Sequence, residues 1–209
     1  MRPHSRATTI LDLGCGTGKW PRRLAAPPDN AALIGVDISH KACLRASQQE
    51  AYPRWICVCA RGEQLPLPED SVDSVISNVA IPYMHIPTAL DQIRQVLRPG
   101  GSVNLSLHPF SFWLHDFRKH PPTRPNALLY RLYVAANGLL FHLTGRLMRY
   151  PLSRRRVESW QSQRGMRIAL ERAGFADIYF AHLPNGSFVV NTLLPDLAEQ
   201  EELAAPAAA

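Results

Sequence analysis

The sequence of 209 residues lacks any CxxC pair and any cysteine–histidine cluster at metal-ligand spacing. Its four cysteines, at positions 15, 43, 57 and 59, fit neither a zinc module nor a disulfide-stapled secreted scaffold, and read as reduced thiols of a cytoplasmic protein. Cys57 and Cys59, two apart in an expected strand, should share one face and pack as small apolar residues. Long apolar runs are missing too. Within the apolar segment 126–148 the longest stretch free of Arg, Lys, Asp and Glu is 132–145, short of the roughly 20 residues that cross a bilayer. Residues 1–6 are basic, but no apolar run follows them, so they do not read as a secretory signal. No glycine, glutamine or serine tract dominates, and 46% of residues are apolar, which excludes a disordered or fibrous chain.

Acids are scarce in one segment. Residues 108–167 hold 11 Lys and Arg against two acids, leaving 12 against 15 elsewhere, so this segment carries the whole surplus behind the net charge of +6. Such a surplus is either a solvated face or a surface for a nucleic acid, an anionic membrane or an acidic substrate.

What the sequence does contain is rhythm. Apolar runs at 8–13, 31–36, 55–59, 72–77 and 102–107 read as strands, and helical spacing is expected at 19–26, 39–51 and 88–97. Ser39 stands as a helix cap, and Arg98-Pro99-Gly100-Gly101 as a helix-ending turn. Strands alternating with helices over short connections specify βαβ units and a mostly parallel sheet. The rhythm breaks for about 50 residues after Leu107 and resumes with a helix at 161–173 and strands at 176–181 and 187–193. The interruption, 108–160, is expected to be a helical lid, with an apolar segment at 126–148 forming two short helices or one bent one, broken near Asn137-Gly138. One domain over 1–197 and a fraying tail at 198–209 complete the expected organisation.

The stretch Ile10-Leu-Asp-Leu-Gly-Cys-Gly-Thr-Gly18 runs from a strand into glycines 14, 16 and 18. Bare backbone there permits a sharp turn and close approach of a nucleoside, so an adenosine-containing cofactor is the leading ligand. A dinucleotide GxGxxG needs glycine where Lys19 stands, and a P-loop needs Ser or Thr where Trp20 stands. Gly35-Val36-Asp37 adds an acid at the end of the second strand, where a carboxylate can accept from both ribose hydroxyls. Near later strand ends stand Tyr83, His85 and His108, candidates for pocket wall or general base; His85 could equally cap a helix.

These residues resemble the class I S-adenosylmethionine-dependent methyltransferases of the small-molecule type. The resemblance is carried by LDLGCGTG, by Asp37, by Glu63-Gln-Leu-Pro-Leu-Pro-Glu-Asp-Ser-Val-Asp73-Ser-Val-Ile-Ser-Asn78 and by Leu97-Arg-Pro-Gly-Gly101. It implies an α/β, Rossmann-like, seven-stranded, mostly parallel sheet with helices on both faces and a helical insertion after strand five. It also implies S-adenosyl-L-methionine as cofactor. Carried over by position, Gly14, Cys15, Gly16 and Gly18 would line its methionine and ribose portion, with Asp12 near the amino group. Asp37 would hold the ribose hydroxyls, Ile38 would pack on adenine, Gly62 and Glu63 would border the base, and Asn78 would close the methionine side. Where many relatives have Gly-Asp-Ala-Glu, this chain has Ala60-Arg61-Gly62-Glu63, so adenine recognition should fall to backbone near Gly62. The chain also begins almost at its first strand, so another segment must cover the cofactor. The expected acceptor is a small molecule, lipophilic or aromatic, covered by the apolar face of the insertion. Arg146, Arg149 and Arg154 to Arg156 would then meet an acidic group or an anionic lipid, allowing peripheral membrane contact. Two alternatives stay open. One is an RNA methyltransferase, disfavoured because Asn78 and Pro82 are not adjacent and no RNA-binding module is present; the other is a non-catalytic scaffold that keeps the fold.

Overall fold

A computed structural model describes residues 8–19, 31–48, 55–153, 156–184, 187–196 and 198. Seven strands form one sheet in the order β3-β2-β1-β4-β5-β7-β6. They are β1 (Thr9–Leu13), β2 (Ala32–Asp37), β3 (Trp55–Cys59), β4 (Val72–Asn78), β5 (Leu97–Leu107), β6 (Ala176–His182) and β7 (Phe188–Leu193). The first five pair in parallel, and β7 runs antiparallel between β5 and β6. The chain steps outward from β1 to β3, then returns to the other side of β1 for β4 and β5. Right-handed crossovers in opposite directions put helices on opposite faces, and all the parallel strands end their carboxyl termini along one rim.

Three of the helices form where the sequence supplies a capping serine or a buried stripe. Ser39 caps α1 (His40–Ser47) by accepting from the Ala42 amide at 3.3 Å. In α2 (Ile86–Val96), Ile86, Ala89, Leu90, Ile93 and Val96 recur at helical spacing and are buried. Ser162 caps α5 (Gln163–Arg172) through the Gly165 amide at 3.1 Å, and Gly174 ends that helix at φ +84°. The main apolar core joins α2 and α5 to the sheet. Beyond Lys19, the helix expected over 19–26 lies outside the described residues, as do the end of the one expected over 39–51 and, apart from Ala198, the tail.

The insertion after β5 folds as α3 (Phe110–Lys119) and α4 (Pro125–Thr144), followed by an extended return to α5. The expected break at Asn137-Gly138 is absent: α4 is one helix through both residues. Gly138 is there because a Cβ would meet the Trp160 ring at 2.2 Å, and the Trp160 indole N–H donates to the Ala135 carbonyl at 3.3 Å. Asn137 is fully buried and fully used. Its amide donates to the Glu158 carbonyl at 3.0 Å and its oxygen accepts from the Met148 amide at 2.8 Å, clamping both ends of the return segment to the helix. The expected packing of Cys59 is also corrected. Its side chain is exposed, while the Cys57 sulfur lies 3.6 Å from that of Cys15. Among the described residues no helix is long and apolar enough to cross a membrane.

Candidate functional site

The strand ends of β1, β2 and β4 meet at a cavity of about 220 Å³ lined by Leu13, Gly14, Val36, Asp37, Ile38, Ala60, Arg61, Gly62, Glu63, Ala80, Tyr83 and Met84. The glycine loop turns back across the end of β2. The Gly14 and Cys15 amides donate to the Val36 carbonyl at 2.7 and 3.2 Å. The Gly16 amide donates to one oxygen of Asp37 at 2.9 Å, while the Ser39 amide donates to the other at 2.8 Å. Asp37 is thus aimed along the rim by two backbone bonds, each of its oxygens retaining a lone pair for a further donor. Gly14, at φ +78°, also serves packing: a Cβ there would overlap the Ala80 side chain at 2.1 Å. Ala80 follows Val79, a β-branched residue held at φ +60°, so the β4 end is bent over the glycine loop at a cost in backbone strain.

Of the residues expected to hold a cofactor, Gly14, Asp37, Ile38, Gly62 and Glu63 stand together in this cavity. Ile38 is 64% exposed, an apolar side chain with a free face at the mouth. Gly62 leaves room for Met84, whose sulfur a Cβ would approach to 2.5 Å. Arg61 forms an ion pair with Glu63 at 3.3 Å, and the same Glu63 oxygen accepts from the His85 amide. Cys15, Gly16, Gly18 and Asn78 are not in the lining; Cys15 packs on Cys57, and burial pushes its thiol pKa up.

Asp12 is also outside the lining but is the outlier of this region. It is 2% exposed and neither carboxylate oxygen has a hydrogen-bond partner. Burial first, and the charge of Asp37 second, push its pKa up to about 7. A buried carboxylate without a donor is costly unless a cation completes it, so Asp12 fits a ligand ammonium. Together with the free face of Ile38 and the aimed Asp37, it makes the site chemically compatible with a sulfonium nucleoside bearing an amino acid.

A second cavity, about 170 Å³, lies between the sheet and the insertion. Its walls are Pro82, Tyr83, His108, Pro109, Phe112, Trp113, Asp116, Arg131, Val134, Glu158, Ser159 and Trp160. Tyr83 belongs to both cavities; it sits on a 3-10 turn, Ile81–Tyr83. Burial raises its hydroxyl pKa, with the charges of Glu158 and Asp116 adding to the effect. His108 stacks on Phe112 with ring centres 3.9 Å apart, its buried Nδ1 has no partner, and burial lowers its pKa. His85 lines neither cavity: its Nδ1 shares a 2.8 Å hydrogen bond with Thr88 in the first turn of α2.

The sequence reasoning passed over Phe112, Trp113, Asp116, Arg131, Glu158 and Trp160. A signal for two of them existed, since Asp116 and Glu158 are the two acids of the basic segment 108–167. The leucines of the insertion that were expected to cover an acceptor do not line this cavity. Leu128, Leu132, Leu139 and Leu143 are exposed on α4, and that helix gives the cavity only Arg131 and Val134. Arg146 and Arg149 are exposed and outside the lining, and Arg154 and Arg155 lie outside the described residues.

Residues 10–101 match the family described as a methyltransferase domain. Among curated proteins it is 36% identical over 107 residues to a malonyl-[acyl-carrier protein] O-methyltransferase of Halorhodospira halophila, covering 49% of this chain and 35% of that one. The chain thus spans well under half the length of such relatives. Among solved structures it resembles a methyltransferase of Methanosarcina mazei (TM-score 0.58, 18% identity, 91% of this chain and 93% of that one). It also resembles the CurJ carbon methyltransferase (TM-score 0.65, 16% identity, 93% and 50%).

Proposed function

We propose that this chain transfers a methyl group from S-adenosylmethionine, held in the first cavity, to a small acceptor in the second. The observation that carries the reading is Tyr83, a wall shared by both cavities, which makes the two sites neighbours at one point. In this reading Asp37 accepts from the ribose hydroxyls, Ile38 packs on the base, Asp12 meets the ammonium, and the backbone of Gly14 and Gly62 borders the nucleoside. Cys15, Gly16, Gly18, Glu63 and Asn78 shape or brace that border. Bound S-adenosylmethionine supplies an electrophilic methyl on sulfur. The chain's part is to bring the acceptor in line, exclude water and take a proton when the acceptor carries one. His108 is the base in this account, kept neutral by burial and fixed in plane by Phe112. His85 serves the start of α2. The malonyl acceptor of the curated relatives is not transferred to this chain, because the matched family region ends at residue 101 and the second cavity is built largely from later residues.

The chain is one domain over 1–197 in this reading, with 108–160 as its lid, and its free cysteines suit the reducing cytoplasm. Any membrane contact would use the exposed leucines of α4 beside Arg146 and Arg149; loss of co-sedimentation with anionic vesicles in Leu132→Glu tests it. Calorimetry with S-adenosylmethionine tests the main reading. Submillimolar binding is expected, weakened about tenfold or more in Asp37→Ala. A folded wild-type protein that binds nothing overturns the reading and favours a scaffold.

A further inference from the structure

Resting on the methyltransferase reading above, we propose that the second cavity selects an amine, so that the atom methylated is the nitrogen of a small aromatic or arylalkyl amine. The walls supply four aromatic surfaces, Tyr83, Phe112, Trp113 and Trp160, together with two carboxylates, Asp116 and Glu158. One cation, Arg131, is also present, but its guanidinium is already committed to Asp116 in an ion pair. That leaves Glu158. Its carboxylate accepts from the Tyr130 hydroxyl at 2.6 Å, a neutral donor, and it takes part in no ion pair among the described residues. The nearby Arg156 guanidinium stands over the Tyr130 ring, 5.7 Å from its centre.

The cavity therefore presents a net negative charge among π faces. A ligand cation is attracted by the ring quadrupoles and by Glu158, whereas a ligand carboxylate is opposed by both. The placement runs against the composition of the segment that builds it. Residues 108–167 contain 11 Lys and Arg and two acids, yet both acids line the cavity and, among the described Lys and Arg of that segment, Arg131 alone does so. The reaction balances with groups already described. The ammonium form of the acceptor gives one proton to the imidazole of His108, and the freed nitrogen lone pair forms the new carbon–nitrogen bond. The carbon–sulfur bond breaks, and its electron pair returns to sulfur.

Three probes of matched size separate the classes: phenethylamine, 2-phenylethanol and phenylacetate, each titrated by calorimetry into the full chain saturated with S-adenosylhomocysteine. Phenethylamine should bind at least about tenfold more tightly than either of the others. Glu158→Gln should lower its affinity about tenfold while leaving S-adenosylhomocysteine binding unchanged, and Asp116→Asn provides a second variant should the first not fold. With phenethylamine and S-adenosylmethionine together, mass spectrometry should find the N-methyl product. Equal affinities, no detectable binding of the amine, or preference for phenylacetate overturns the assignment while leaving cofactor binding intact. Failure of the wild-type protein to bind S-adenosylhomocysteine overturns the underlying reading, and this inference with it.

Discussion

The two cavities are built by opposite means. The first is made from strand ends within residues 8–84, and its decisive features are backbone ones: glycines without a Cβ, amides that aim Asp37, and a turn forced over the loop at Val79. The second takes most of its walls from the insertion, and its decisive features are side chains: indoles, phenyl rings and paired or unpaired charges. A site made of backbone leaves a short, contiguous motif in the sequence. A site made of side chains from three distant segments leaves scattered residues with no common spacing.

Substitutions should divide along that boundary. The largest effect is expected for Gly14→Val, which puts a side chain into Ala80 and requires φ +78° of a β-branched residue. Calorimetry should show cofactor affinity reduced more than about a hundredfold, and thermal unfolding a loss on the order of 3 kcal/mol. Asp12→Asn comes next. Because the folded protein holds this carboxyl above its ordinary pKa of 3.8, at about 7, it adds no penalty below pH 4; the cost grows as pH rises and is complete above pH 7. Denaturant titrations should show wild-type stability falling across that window by up to about 4 kcal/mol from this group, a decline that Asp12→Asn lacks. The same carboxyl should release close to one proton when the cofactor's ammonium binds near pH 6 and much less near pH 8, measured by calorimetry in buffers of different ionisation enthalpy.

On the acceptor side, Trp160→Ala removes an indole packed on Gly138 and exposes the second cavity. It should cost about 3 kcal/mol of stability and raise the acceptor KM about tenfold, with cofactor affinity unchanged. Equal losses for cofactor and acceptor would erase the distinction between the two sites. The smallest effect belongs to Arg61→Ala: its ion pair with Glu63 is 39% exposed on the arginine side, so unfolding should shift by under about 1 kcal/mol.

The same contrast explains what could be read in advance. The strands, the cap at Ser39, the buried stripe of α2 and the cluster of Gly14, Asp37, Ile38, Gly62 and Glu63 depend on local pattern or short spacing. The continuity of α4 did not: Gly138 looked like a break because its reason, Trp160, lies far along the chain. Asn137 looked like a turn residue because its partners at Met148 and Glu158 belong to the return segment. α3 escaped notice because none of its residues is fully buried, so it carries no clean apolar stripe. His85 and His108 could not be told apart by position near a strand end. Their difference lies in Thr88, which occupies the first, and in burial, which leaves Nδ1 of the second without a partner.

The central claim is that the two cavities meet at Tyr83, with the nucleoside on one side and the acceptor on the other. A crystal structure of the chain with S-adenosylhomocysteine tests this most directly. The account predicts ribose hydroxyls on Asp37, the base against Ile38, the ammonium at Asp12, and the thioether sulfur beside Tyr83 facing Trp113 and Trp160. A nucleoside seated elsewhere, or a sulfur turned away from Tyr83, would contradict it.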